Sequence, residues 1–204
     1  MKSVLRVGVL LGAAALAGCQ AMAPSNVFTS QYAAVTDAGY RLPAIPVSQV
    51  PRQYQRQIVD YATREEPGTV VVDTSEKFLY LVMENGKAMR YGIGVGREGF
   101  EWKGTARVAF KREWPVWTPP PAMIRRQPEL AQWAGGMPPG LSNPLGARAL
   151  YLYRGGSDTG YRLHGTPEWN SIGHAMSSGC IRLINQDIID LHDRVENGAK
   201  VIVM

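Results

Sequence analysis

Two residues of this chain have the types and spacing for covalent chemistry. They are His164 and Cys180, in the run His164-Gly-Thr-Pro-Glu-Trp-Asn-Ser-Ile-Gly-His174-Ala-Met-Ser177-Ser178-Gly179-Cys180-Ile-Arg182-Leu. A thiol with its ordinary pKa of about 8.5 is barely ionised at neutral pH, so a nucleophilic cysteine needs a base beside it and a third group to orient that base. His164 closes a strand-like segment, Tyr161 to His164, and a rigid element aims a side chain better than a loop does. An excursion of 15 residues then returns the chain to Cys180. Gly165 and Gly179 let backbone approach closely, and the backbone N–H groups from Ser178 to Cys180 are suited to hold an oxyanion in acyl transfer. His174 is the rival base, nearer in sequence but in mid-loop. His192 lies on a helical stretch and reads as structural or surface.

The one other cysteine, Cys19, ends a segment with the parts of an export signal. Lys2 and Arg6 make a short positive region, and Val7 to Ala17 is an apolar stretch of 11 residues. That suits a signal-peptide core and falls short of the roughly 20 residues that cross a bilayer. Leu16-Ala17-Gly18-Cys19 has the form of a lipobox, which would make Cys19 the lipidated first residue of the mature protein. The alternative is an ordinary secretory peptide cut near Ala21 or Ala23. Either way Cys180 is the only cysteine left for the exported domain, and an oxidising compartment makes an idle thiol a liability.

Length and charge exclude several classes. The 204 residues hold one domain with a real core, and the net charge of +5 falls to +3 once Lys2 and Arg6 leave with the signal. That balance is too mild and dispersed for nucleic acid, and it is compatible with an anionic polymer. Gly92-Ile-Gly94-Val-Gly96 lacks the spacing of a dinucleotide-binding loop and reads as a glycine-rich strand end. No metal-ligand cluster stands out, and thioester chemistry needs no cofactor.

The elements that must position His164 and Cys180 are mostly short strands. Candidates are Thr69 to Asp73, Lys77 to Met83, Ala88 to Gly94, Ala106 to Glu113, Ala149 to Tyr153, Tyr161 to His164, Ile181 to Ile184 and Lys200 to Met204. Asn85-Gly86 between two of them signals a tight hairpin. One helix is expected after Ile184, with Asn185 as N-cap, Ile184 and Ile189 as a hydrophobic staple, Ile188, Leu191 and Val195 as its apolar stripe, and Gly198 as its stop. Residues 20 to 66 look like a weakly patterned lead-in broken by Pro43, Pro46 and Pro51, with a short helix at Gln53 to Thr63. From Trp114 to Pro144 the strand pattern stops, and eight of the 14 prolines fall there. Such an insertion is usually functional or disordered. Its tryptophans either pack it on the sheet or make a lid over Cys180, with Met123, Ile124 and Trp133 as props for either.

These motifs together resemble the L,D-transpeptidase catalytic domain, the YkuD-type fold. The resemblance is carried by His164-Gly-Thr, Ser177-Ser-Gly-Cys-Ile-Arg-Leu, Pro67-Gly-Thr-Val-Val-Val-Asp, Arg90-Tyr-Gly-Ile-Gly-Val-Gly, Trp114-Pro-Val-Trp-Thr-Pro-Pro and Asn143-Pro-Leu-Gly-Ala-Arg-Ala-Leu-Tyr-Leu, over about residues 67 to 204. It implies a mainly β, β-sandwich-like domain with a few short helices and a Pro/Trp-rich insertion. The expected organisation is a signal peptide at 1–18, a tether at 19–66 and the catalytic domain at 67–204. The implied chemistry is cysteine acyl transfer on peptidoglycan stem peptides, in the periplasm and anchored to a membrane through Cys19. Cys180 would be the nucleophile, His164 its base, the Gly165 carbonyl the orienter of the imidazole, and Gly179 part of the oxyanion region. Arg182, Ser177 and Ser178 would touch substrate, although Arg182 reads equally as a brace for the loop. Many family members carry histidine where this chain has Ser178. Three readings stay open: a transpeptidase with an amine acceptor on a stem or a wall-attached protein, a hydrolase on the same scaffold, and a non-catalytic peptidoglycan-binding lipoprotein.

Overall fold

Val70-Val71-Val72 is a run of β-branched residues with no polar alternation, the pattern of a strand covered on both faces. In the computed structural model, which describes residues 31–96, 102–177 and 179–204, this run is central to the main sheet. The export segment, Cys19 and Ser178 lie outside the described residues. In chain order the strands are β1 (Val35–Asp37), β2 (Tyr40–Leu42), β3 (Gln57–Asp60), β4 (Val70–Asp73), β5 (Phe78–Val82), β6 (Lys87–Gly92), β7 (Val95–Gly96), β8 (Gly104–Glu113), β9 (Arg148–Arg154), β10 (Ser157–Thr166), β11 (Ala175–Ser177), β12 (Ile181–Ile184) and β13 (Lys200–Val203). Among the described residues two α-helices accompany them, α1 (Pro121–Arg126) and α2 (Asn185–Arg194).

Nine strands join in the order β12-β10-β9-β8-β13-β4-β5-β6-β3. Two of these pairings are parallel, β10 with β12 and β4 with β13. The sheet curls until its distant parts meet. Just beyond β6, Gly94 exchanges both backbone hydrogen bonds with Arg182 of β12, at 2.9 and 2.8 Å, and β7 pairs in parallel with β11. The core lies between the two halves. Val70, Val72, Leu79, Leu81 and Tyr91 meet Leu150, Leu152, Leu163, Ile181 and Leu183, with Ile188, Leu191 and Val195 laid across them. This is the mainly β, sandwich-like architecture expected, and Asn85 and Gly86 take the positive φ values, 59° and 66°, of the anticipated hairpin turn.

The lead-in differs from the expectation. Gln53 to Thr63 is not a helix: Arg52–Tyr54 makes one 3₁₀ turn and Gln57–Asp60 is β3, the edge strand paired to β6. A strand partner already in place satisfies the backbone, which a short isolated helix cannot do. Nor is the described part of the lead-in a loose tether. Tyr32 is 1% exposed, its hydroxyl donates to Asp187 Oδ2 at 3.0 Å, and it accepts from the Arg56 N–H at 2.6 Å. Arg56 also pairs with Asp190 at 3.0 Å, so the lead-in is clamped to α2.

The ends of α2 also depart from the sequence signals. Asn185 is the first helical residue and not the cap; its Oδ1 accepts the Ala147 N–H at 2.9 Å. A buried backbone donor in the turn just before β9 competes successfully for that oxygen. Ile184 packs with Tyr32, Val50 and Ile172, whereas Ile189 belongs to a separate cluster, so they form no staple. The helix ends at Arg194, and Gly198, at φ 89°, turns the chain into β13 instead of stopping the helix.

The insertion is ordered by its polar ends. Asn143, wholly buried, donates to the carbonyls of Pro115, Met137 and Pro138 and accepts from Leu145. Trp114 stacks on Tyr40 at 4.0 Å and donates to Asp37, whose carboxylate also takes a two-point contact from Arg148. Met123, Ile124 and Trp133 are half-buried within the insertion.

Asp187 supplies a test of the clamp. It is fully buried, its Oδ1 has no hydrogen-bond partner among the described residues, and Arg56 Nε stands 3.7 Å away. Burial pushes its carboxyl up to about 7 against the pull of Arg56. The folded state therefore holds this proton where an unfolded chain, with a carboxyl near 3.9, has released it, and stability is lost as pH rises between those values. In thermal melts, the advantage of Asp187→Asn over wild type should grow from pH 5 to pH 8; an advantage that does not change with pH contradicts this account.

Candidate active site

Strand alternation sorts the site residues before any distance is considered. Leu163 points into the core, so its neighbours Arg162 and His164 project from the opposite face of β10. Ile181 and Leu183 likewise face the core from β12, which turns Arg182 toward the side of His164. The parallel register pairs Leu163 with Ile181 and His164 with Arg182, so Cys180, one residue before β12, falls beside Arg162. The fold thus brings together the two ends of a 15-residue excursion that the sequence keeps apart.

His164 is 5% exposed, and its Nδ1 lies 2.6 Å from the Gly165 carbonyl oxygen. A carbonyl can only accept, so Nδ1 carries the hydrogen and Nε2 holds the lone pair. Burial drives the imidazole down to about 4, against the Gly165 hydrogen bond, with Arg182 and Arg162 adding to the fall. Cys180 forms no disulfide and is partly buried. Burial pushes its thiol up, while the backbone and charge of Arg162 and the charge of Arg182 pull it back. Thiol and imidazole are therefore both neutral at rest. Gly179 sits at φ 122°, which a side chain would strain.

The other sequence candidates are placed as follows. Arg182 is 9% exposed; its Nη1 meets Glu168 Oε2 at 2.9 Å, and its Nε and Nη2 are buried with no hydrogen-bond partner among the described residues. Ser177 ends β11, paired to Gly96. His174 is exposed, and its carbonyl accepts from Val95. His192 is buried on α2 beside Asp193. Sequence reasoning missed Glu168, although it stands inside the catalytic run. It also missed Arg162, whose i and i+2 relation to His164 on a strand was the available signal. Arg162 makes a two-point contact with Asp158, both at 2.7 Å, and lies 4.3 Å over the Tyr151 ring.

The residues and their order match a known family. The profile of the L,D-transpeptidase catalytic domain, YkuD, matches residues 67–203. The chain belongs to this family. It is 35% identical over 141 residues to the probable L,D-transpeptidase ErfK/SrfK of Escherichia coli (strain K12), covering 66% of this chain and 43% of that one. It is 37% identical over 102 residues to a putative L,D-transpeptidase in the ATP synthase subunits region of Fuscovulum blasticum, covering 50% of each. The match thus spans half or less of the length of these curated L,D-transpeptidase relatives. Among solved structures, a Brucella melitensis protein described as a probable carnitine operon oxidoreductase is 44% identical, with a TM-score of 0.53 over 76% of this chain and 96% of that one. The Ldtfm–avibactam carbamoyl enzyme, at 17% identity, TM-score 0.52 and coverage of 69% and 49%, shares the fold.

Two outcomes are expected from the geometry. The imidazole of His164, followed by NMR, should stay neutral and protonated at Nδ1 until the pH approaches 4; a midpoint near the ordinary 6.5 would contradict its burial. A Cβ at Gly165 would overlap Asn185 Oδ1 and meet Ile188 Cγ2 at 3.0 Å, so Gly165→Ala must push β10 from α2. Misplacement on that scale should slow acylation of Cys180 on the order of 10²-fold. Acylation at the wild-type rate would show that the Gly165 carbonyl does not govern the base.

Proposed function

We propose that this chain is a peptidoglycan L,D-transpeptidase, and the observation that carries the reading is the His164 Nδ1–Gly165 hydrogen bond. It leaves Nε2 as a proton acceptor on the face that Cys180 shares. As Cys180 Sγ attacks the carbonyl carbon between the third residue of a tetrapeptide stem and its terminal D-alanine, Nε2 takes the thiol proton. The oxygen of the tetrahedral intermediate is held by backbone N–H groups around Gly179 and Cys180. Collapse breaks the C–N bond, D-alanine leaves with the proton from His164, and a thioester remains on Cys180. An acceptor amine then attacks the thioester, giving up its proton to His164, and the new amide frees the thiol.

Arg182 suits a carboxylate of the stem, because two of its buried nitrogens have bonds still to make. Burial is the main cause that holds the imidazole near 4, and a carboxylate at Arg182 offsets the smaller contribution of that arginine's charge, so substrate binding strengthens the base. The redox name of the Brucella relative finds no support in the glycine run, since Gly92-Ile-Gly94-Val-Gly96 lacks the spacing of a dinucleotide-binding loop and Gly94 is bonded to Arg182. Export and lipidation at Cys19, with residence in the periplasm on a membrane, complete the proposal, supported by Leu16-Ala17-Gly18-Cys19.

The test is muropeptide analysis of isolated wall incubated with wild type and Cys180→Ala. New 3→3 dimers that require Cys180 are the expected result, together with a carbapenem adduct mass on Cys180. Tripeptide stems without dimers would replace transfer by hydrolysis. No change in the wall and no adduct would leave only binding.

A further inference from the structure

Arg162 is held on more sides than a surface arginine. Its Nη1 and Nη2 each meet an oxygen of Asp158 at 2.7 Å, Nη1 also donates to the Tyr161 carbonyl at 2.9 Å, and the guanidinium lies over Tyr151 at 4.3 Å. Its side chain is 16% exposed. Such a fork, stacked and doubly paired, keeps one position where a free arginine would sample many. Carried one step back from the pairing of Leu163 with Ile181, the parallel register sets the Arg162 backbone beside Cys180, with which it hydrogen-bonds, and Asp158, four residues earlier on the same strand, is tied to the Arg162 guanidinium.

We propose that Arg162 is a positioning residue that sets how readily Cys180 reacts as a sulfur anion, with Asp158 acting as its counterweight. This deepens the reading of Cys180 as nucleophile. Among the described residues, the charged and titratable groups around the thiol are Arg162, Asp158 and Tyr161 on β10, Arg182 on β12, and His164. Arg162 and Arg182 favour the sulfur anion, and Asp158 disfavours it. Arg182 is already engaged by Glu168 and is reserved for a substrate carboxylate in the proposed mechanism. Arg162 has no such second duty, so it keeps its effect on the sulfur when substrate arrives. Because the same guanidinium also disfavours the imidazolium, it does not simply hasten proton transfer to His164. It fixes the sulfur's own acidity, which persists through every step in which the thiol is regenerated.

The experiment is peptide-resolved alkylation of the full chain by iodoacetamide as a function of pH, reading only the peptide that contains Cys180. Arg162→Gln should move the midpoint up by about one pH unit, and Asp158→Asn should move it down. Arg162→Lys, which keeps the charge, should stay nearer to wild type than Arg162→Gln. Opposite movements for the two charge changes are what a loosened fold cannot imitate. An unmoved midpoint in Arg162→Gln, or a shift of both variants in one direction, overturns the proposal. If Arg162→Gln does not fold, a fall in Asp158→Asn with Arg162→Lys near wild type supports the proposal, and any other pattern in that pair overturns it. The readout needs no wall substrate. Loss of cross-linking with the midpoint shifts intact would count against the transpeptidase reading alone, and fixed midpoints with cross-linking intact would count against this proposal alone.

Discussion

The parallel pairing of β10 with β12 is the constraint on which the site depends. Parallel neighbours cannot be joined by a tight turn, so the chain must leave the sheet after Thr166 and come back at Ile181. That excursion carries Glu168, His174 and β11, and its return places Cys180 on the face already occupied by Arg162 and His164. A slip of one residue in this pairing would turn Arg182 inward and Leu183 outward, and it would uncouple the thiol from its base. The buried side chains of Leu163, Ile181 and Leu183 resist that slip, because each would move from core to the opposite face. Hydrophobic packing on one side of the sheet thus sets the chemistry on the other.

The electrostatic design follows from burial. Desolvation disfavours both charged partners of the dyad, and two arginines facing the same space tilt the balance toward the sulfur anion and away from the imidazolium. A thiolate–imidazolium pair is therefore not the resting state. Under the proposed mechanism, a substrate carboxylate at Arg182 eases protonation of the imidazole while Arg162 keeps its hold on the sulfur. Glu168 serves as the provisional partner of Arg182, and it is exposed enough, at 64% of its side chain, for a competing carboxylate to replace it.

The candidate pair was legible because its chemistry is local in type, if not in space: a cysteine with no second cysteine between residues 67 and 204, one strand-end histidine and glycines beside each. Strands such as Val70–Asp73 and the Asn85–Gly86 turn were legible for the same reason, since alternation and turn preference act over a few residues. What failed was set by distant partners. Asn185 has the type of a cap, yet its oxygen serves Ala147, 38 positions away. Gln57–Asp60 has no strong pattern of its own and becomes a strand because β6 offers an open edge. Arg162 could have been found by counting alternate residues back from His164. Its fixation by Tyr151 could not, because that contact depends on the register of β9 against β10.

The lead-in joins these levels. Tyr32 and Arg56 fasten to Asp187 and Asp190 of α2, and Tyr91 reaches Asp190 from the sheet at 2.6 Å. The same helix begins with Asn185, which closes against Gly165, the residue that orients His164. A segment that reads as a tether is thus connected through one helix to His164. It also limits how far the domain can stray. With packing in place by Tyr32, only residues 20 to 31 separate it from Cys19, and 12 residues span at most about 40 Å. Under the proposed lipidation, an enzyme on so short a lead works on the wall nearest its membrane, and the rigidity that serves catalysis also sets that reach.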